Sequence, residues 1–321
     1  MPDAYHRPVL VDEVCEALRP ALAGGGGGGI VVDCTLGGGG HSEAILRRLG
    51  PAALLGLDRD PDAIAHAGGR LAEFSAEGRF RAFHAPFSTL AEVLADAGIA
   101  AVTAILADLG VSSHQLDTGA RGFSFQADAP LDMRMDPTRG ESAAAVLASI
   151  DARTLAGVLR DLGEEPDADR IAAAIAATRP TTTGALAEVV AAAMSAPRRR
   201  QLGARIHPAT RTFMALRILV NHELEELDRF LEDAPELLGV GGRIGVITFH
   251  SLEDRAVKRR FAALAQAPAP PRGVPIPASE LPQARFVIPP GARQGVTAGD
   301  AEVAENPRSR SARLRVLERR A

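Results

Sequence analysis

Short apolar runs, each bounded by glycine or charge, recur along the chain at 30–34, 53–57, 102–107 and 243–249, and a further strand is expected at 79–84. Runs this short, apolar on successive positions, fit strands buried on both faces, as in a parallel sheet. Helical patterns lie between them, and strands alternating with helices predict an α/β sheet covered on both sides. After Asp108 the alternation stops. From 115 to 207 only loops and alanine-rich helical stretches follow, at 142–162, 168–177 and 183–194. It resumes with an amphipathic helix over 208–231, the strand at 243–249 and a last strand near 314–317. The expected organisation is a discontinuous α/β domain, 1–114 with 208–321, interrupted by an all-helical insertion over 115–207.

Two segments contribute little to this pattern. The six-glycine run at 24–29 formally satisfies G-x-G-x-x-G. It precedes its strand, whereas a ligand-binding turn must lie at the strand's carboxyl end, so it reads as a linker. Residues 266–300 are rich in Pro, Ala and Gly and read as an irregular excursion.

The chemistry concentrates at strand ends. The run from Ile30 passes through Asp33, Cys34, Thr35 and Leu36 into four glycines, and then His41, Ser42 and Glu43. Glycines let the backbone turn tightly and approach a ligand, and free N–H groups at a helix start attract polar groups. The second strand ends at Asp58, where a carboxylate could accept both hydroxyl protons of a ribose. Asp60-Pro61 just beyond is a helix-start signal, so Asp60 can cap while Asp58 binds. After the third strand Phe87 either lies against a ligand ring or packs in the core. The fourth strand ends at Asp108, beside the crevice where reacting atoms meet, and its carboxylate can accept a hydrogen bond from an amine. Arg121, Phe123 and Phe125 offer planes for stacking an unpaired base, or else a hydrophobic cover. His250 and Ser251 follow the fifth strand as a substrate contact or a structural histidine.

Composition narrows the class. Hydrophobic residues make up 46% and charged residues 24% of the 321-residue chain, ordinary for a globular protein. No apolar run reaches the ~18–20 residues of a membrane span, and the first residues show no secretory signal. Cys15 and Cys34 offer neither a disulfide framework nor metal spacing, and a reducing cytoplasm is the expected setting. The net charge of −4 does not advertise a nucleic-acid binder. Yet 198–205 carries four arginines and no acid, 308–320 six arginines against one Glu, and Lys258 is the only lysine. Arginine forks suit phosphates, although a genome-wide bias toward Ala, Gly and Arg also explains them.

Taken in order, the motifs resemble the RsmH (MraW) family, bacterial methyltransferases acting on cytosine N4 in small-subunit ribosomal RNA. The resemblance rests on HRPVL at 6–10, DCTLGGGGHS at 33–42, LDRDP at 57–61, DLGVSS at 108–113, RGFSF at 121–125 and PLDMRMD at 130–136. It continues with HPATRTF at 207–213, TFHSLEDR at 248–255 and NPRSRS at 306–311. It implies a Rossmann-like class I methyltransferase sheet whose helical insertion recognises substrate. It further implies S-adenosyl-L-methionine as cofactor, held by Gly39, Gly40, His41, Asp58, Phe87, Asp108 and Gln115, and 16S ribosomal RNA, near the decoding centre and within the small subunit, as partner. Asp108 is the nominated catalytic residue, with Asp33 bracing the turn, and no metal is implied. His114 departs from the proline of many relatives. A dehydrogenase would need a third glycine where Ser42 stands, and a non-enzymatic RNA-binding protein is the other alternative.

Overall fold

The computed structural model describes residues 8–23, 29–202, 207–267 and 283–321. Most of the six-glycine run, the end of the arginine stretch at 198–205 and much of the 266–300 excursion lie outside the described residues.

Eight strands form one sheet among the described residues: β1 (Ile30–Asp33), β2 (Ala53–Asp58), β3 (Phe80–His84), β4 (Val102–Asp108), β5 (Leu238–Thr248), β6 (Phe286–Val287), β7 (Val296–Thr297) and β8 (Arg313–Arg319). The order is β3-β2-β1-β4-β5-β8-β6, with β7 also pairing β8. The first five strands are parallel, and β8 runs antiparallel to β5. All four apolar runs and the stretch at 79–84 therefore contain strands, and β5 begins five residues earlier than its apolar stretch because Leu238 pairs with Val102.

Side-chain alternation explains why the central runs are largely apolar, whereas β3 carries exposed Arg81 and His84. In β1, Val31 belongs to one buried core and Val32 to the other. In β4, Ala104 and Leu106 face the first core while Ile105 and Ala107 face the second. Each large side chain removed from water in this way contributes roughly 1.5–3 kcal/mol. Helix Val11–Ala23 helps cover the first core, and helices Leu90–Asp96 and Ser251–Leu264 the second. The chain leaves β1 toward β2 and β3, then returns to β4 on β1's other side. That reversal opens a crevice beyond the carboxyl ends of β1 and β4.

The chain divides into two compact units, Met1–Gly110 with Glu226–Ala321, and Val111–Glu225. The second unit is helical, as its alanine-rich patterns predicted, but its bounds are wider than 115–207. Helix Thr210–Asn221 buries Phe213, Ala215 and Leu216 in that unit's core, so its apolar face assigns it there. The amphipathic stretch 208–231 is two helices, broken at His222 with φ 51°. The stretch 142–162 is likewise two, because Ile150 is extended and Asp151 caps a new start by accepting from Thr154 N–H. The motif at 130–136 is part of this unit's interior. Leu131 and Met133 are buried, and Asn221 pins the segment by donating to the Met133 carbonyl (2.7 Å) and accepting from Met135 N–H (2.7 Å).

Candidate active site

β1 delivers the first carboxylate. Asp33, 1% exposed, accepts from Ser42 Oγ at 2.7 Å and from Thr35 N–H at 3.3 Å. Both oxygens are thus spent on bracing the turn between β1 and helix Gly40–Leu49. Burial pushes its pKa up to about 6, against the opposing hydrogen bonds from Ser42 and Thr35. The turn itself requires glycine at two positions. Gly39 sits at φ 77°, in the left-handed region, and a Cβ on Gly40 would stand 2.9 Å from Pro8 Cγ. The helix's first internal bond runs from Glu43 N–H to the Gly39 carbonyl, so the N–H groups of Gly40, His41 and Ser42 precede its ladder.

Asp58, at the tip of β2, clasps this turn. Its Oδ2 accepts from Gly37 N–H at 2.7 Å and its Oδ1 from Asp60 N–H at 2.8 Å. Each oxygen keeps one lone pair for a further donor. Burial raises this carboxyl to about 6 as well, outweighing the two backbone bonds. Asp60 separately caps helix Pro61–Arg70 through Asp62 N–H (3.1 Å), so the two aspartates divide the roles as the sequence allowed.

Asp108 ends β4. Its N–H donates to Thr35 Oγ1 at 2.6 Å, which fixes the strand end against the turn. Its Oδ2 lies 3.6 Å from His41 Nδ1, while Oδ1 is buried without a hydrogen-bond partner among the described residues. Burial raises the carboxyl well above the ordinary carboxylate range, and the charges of Asp33 and Glu253 push the same way. The His41 side chain faces inward, with Nε2 2.8 Å from the Val9 carbonyl. Burial lowers its pKa to about 4, against the bond to Val9 and the charge of Glu302. What His41 presents to the turn is its backbone N–H.

Phe87 follows β3 in a short 3-10 turn and packs edge-on to Phe230, with ring centroids 5.4 Å apart. Gln115 belongs to the second unit, where it closes a capping box with Ser112: Ser112 N–H donates to its Oε1 (3.0 Å) and its N–H donates to Ser112 Oγ (3.2 Å). Phe123 is buried in that unit's core, and Phe125 stacks on His207 at 4.3 Å and meets Phe213 edge-on. Arg121 donates to the carbonyls of Arg134 and Met135. These three residues are packing and bracing groups there, the hydrophobic alternative of the two the sequence offered. His250 is likewise structural: it caps helix Ser251–Leu264 in a reciprocal box with Glu253.

Thr35, Ser42 and Glu302 are positioning groups that sequence reasoning did not single out. Thr35 and Ser42 lie inside the glycine-turn motif, and a polar residue where a dinucleotide fingerprint wants glycine was a usable signal. Glu302 accepts from Leu10 N–H at 2.8 Å across 292 residues, a contact no local pattern reveals.

One buried and two half-buried carboxyls around one glycine turn make an acidic crevice. Such a site disfavours a pyrophosphate and suits a ligand with hydroxyl donors and positive charge. The unpartnered Asp108 Oδ1 is a ready acceptor for an amine or ammonium N–H. S-adenosylmethionine, with its ribose, sulfonium and amino group, has that chemistry.

Comparison with known proteins agrees with this geometry. The family described as the MraW methylase family matches residues 3–320. A protein of Halorhodospira halophila named "Ribosomal RNA small subunit methyltransferase H" is 52% identical over 322 residues, covering 98% of this chain and 94% of that protein. Its namesake in Frankia alni is 48% identical over 320 residues, covering 98% and 95%. A third, from Trichlorobacter lovleyi, is 47% identical and covers 99% of both chains. With the glycine turn and its three acids inside a match of this length, the chain belongs to the MraW methylase family.

Proposed function

We propose that the protein transfers the methyl group of S-adenosylmethionine to the N4 amino group of a cytosine in small-subunit (16S) ribosomal RNA, near the decoding centre and within the small ribosomal subunit. The observation that carries this reading is Asp108: a half-buried carboxyl at the end of β4, beside the glycine turn, whose Oδ1 has no hydrogen-bond partner among the described residues. The relatives' shared name supports the RNA class. When bound, the cofactor supplies an electrophilic methyl group on a sulfonium.

The residues of this chain bind and orient. The turn offers the backbone N–H groups of Gly40 and His41, while Gly39 donates its own to the Leu36 carbonyl (2.8 Å), and Asp58 keeps lone pairs for the ribose hydroxyls. Phe87 offers a ring face to the adenine. Cytosine N4 has its lone pair delocalised into the ring, so alignment with the methyl group is the main catalytic task. Asp108 Oδ1, accepting from an amino N–H, draws that lone pair toward nitrogen and orients it. Covalent attack on the ring is not needed at N4. Cys34 is unsuited to it, being 1% exposed with its thiol pushed up by burial.

The helical unit serves as the substrate-recognition domain. On the first unit, Arg255, Lys258 and Arg259 share one exposed face of helix Ser251–Leu264, which starts at the carboxyl end of β5 beside β4. Such a ridge suits an RNA backbone.

Calorimetry tests the site. Asp58→Ala removes an acceptor for hydroxyl protons, and S-adenosylmethionine binding is expected to weaken by about 10- to 100-fold. Unchanged affinity would remove Asp58 from the site.

A further inference from the structure

The loop that leads into β7 encloses a pocket of about 510 Å³, lined by Pro290, Gly291, Arg293, Gln294 and Gly295. Two successive turns build it. Ala292 N–H donates to the Pro289 carbonyl at 3.1 Å, and Gly295 N–H to the Ala292 carbonyl at 3.0 Å. Turns closed in this way leave the N–H groups of their central residues unused. Those of Gly291, Arg293 and Gln294 donate to no acceptor among the described residues. Arg293 and Gln294 are exposed.

Arg313, the first residue of β8, packs against this loop. Its Nη1 donates to the Gln294 carbonyl at 2.7 Å, and a Cβ on Gly295 would stand 2.6 Å from its Cγ. The nearby carboxylate does not neutralise it. Asp254 gives both oxygens to buried Arg315, at 2.6 and 2.9 Å, and Arg313 Nε stays 3.9 Å away. Lys258 stands one helical turn beyond Asp254 and adds its charge. One carboxylate is therefore set against three cations, and Arg313, its side chain 41% exposed, keeps Nη2 for a ligand. The bond to Gln294 has already spent part of its side-chain freedom, which lowers the ordering cost of binding.

Strand register places Arg313 at the crevice end of the sheet. Asp108 pairs with Ile247, Ile247 with Leu314, and Thr248 with Arg313. Two strand spacings, roughly 10 Å, separate β4 from β8. A strand whose base enters the crevice beside Asp108 passes within reach of Arg313.

We propose that loop 290–295, with Arg293 and Arg313, is a phosphate-binding pocket for the backbone of the substrate RNA near the target nucleotide. Guanidinium forks and free backbone N–H groups are the donors that phosphodiester oxygens take. The pocket continues, through Asp254 and Lys258, into the basic face of helix Ser251–Leu264.

This inference rests on the RNA methyltransferase reading, and its test needs no methyl transfer. Anisotropy of a labelled single-stranded RNA of mixed sequence is measured with the full chain over a salt series. Arg293→Ala with Arg313→Ala is expected to weaken binding roughly 10-fold at low salt and to reduce the slope of log K against log salt by about 1. Calorimetric affinity for S-adenosylmethionine should stay at wild type, which also shows that the variant folds. Lysine at both positions keeps the charges and should restore the slope. With small subunits as substrate, KM should rise severalfold while kcat holds. Arg293→Ala alone, at an exposed loop position, should move the slope in the same direction if the double variant is unstable. An unchanged slope in the folded variant overturns the pocket and leaves the function standing. Weakened binding of poly-glutamate with RNA affinity intact would assign the pocket to an acidic protein segment and overturn the proposal equally. A reduced RNA slope in a protein that transfers no methyl group would count against the function and support the pocket.

Discussion

Asp33, Asp58 and Asp108 are carboxyls that folding removes from water, and each is disfavoured in its charged form. For Asp33 the consequence can be signed. The unfolded carboxyl titrates near 3.8 and the folded one near 6. Between those values the folded chain holds a proton that the unfolded chain has lost, so this stability is full below pH 3.8 and falls as pH rises toward 6. The loss is on the order of 3 kcal/mol for a group this buried. Asp58 acts in the same direction. Asp33→Asn, which can still accept from Ser42 Oγ, is therefore expected to flatten the decline in urea-unfolding free energy between pH 4.5 and 7; a decline as steep as wild type would show that Asp33 is charged throughout. All three acids were legible because each ends an apolar run, where a carboxylate must either cap or bind. Their partners were not, because Thr35 Oγ1 and Gly37 N–H reach strand ends 73 and 21 residues away.

At the scale of elements, the glycine turn and Pro8, which packs against it, form one unit of structure. Gly40→Ala places a methyl group 2.9 Å from Pro8 Cγ and 3.0 Å from Cδ, and something must move. Overpacking of this kind costs about 1–3 kcal/mol and is expected to lower Tm by a few degrees. Differential scanning calorimetry checks it, and an unchanged Tm would mean that Pro8 does not rest on the turn. The parallel strands were legible because burial leaves little room for polar positions, whereas β6 and β7 fall in the stretch 266–300 that read as irregular. Helix breaks were less so. Alanine-rich sequence continues smoothly through Ile150 and apolar periodicity through His222, while extended backbone at one and φ 51° at the other end the helices. His250 read as either a substrate contact or a structural histidine, and its ring accepts from Glu253 N–H as a cap.

The whole molecule combines a doubly wound sheet unit with a helical unit set into its sequence. The interruption after Asp108 marks the start of the helical stretch in sequence, while segment 111–114 and helix Thr210–Asn221, which cluster with the helical unit, carry no strand signal to mark them. Charge was the less informative global feature: −4 overall conceals the exposed ridge of Arg255, Lys258 and Arg259. Replacing all three with Ala is expected to weaken small-subunit RNA binding and reduce the slope of log K against log salt by about 2. An unchanged slope would place the phosphate contacts elsewhere. The central claim concerns the transferred group and its destination. Small ribosomal subunits lacking the modification, incubated with the protein and methyl-labelled S-adenosylmethionine, should acquire one label that mass spectrometry maps to N4 of a cytosine. No incorporation, or a label on cytosine C5, would contradict the account.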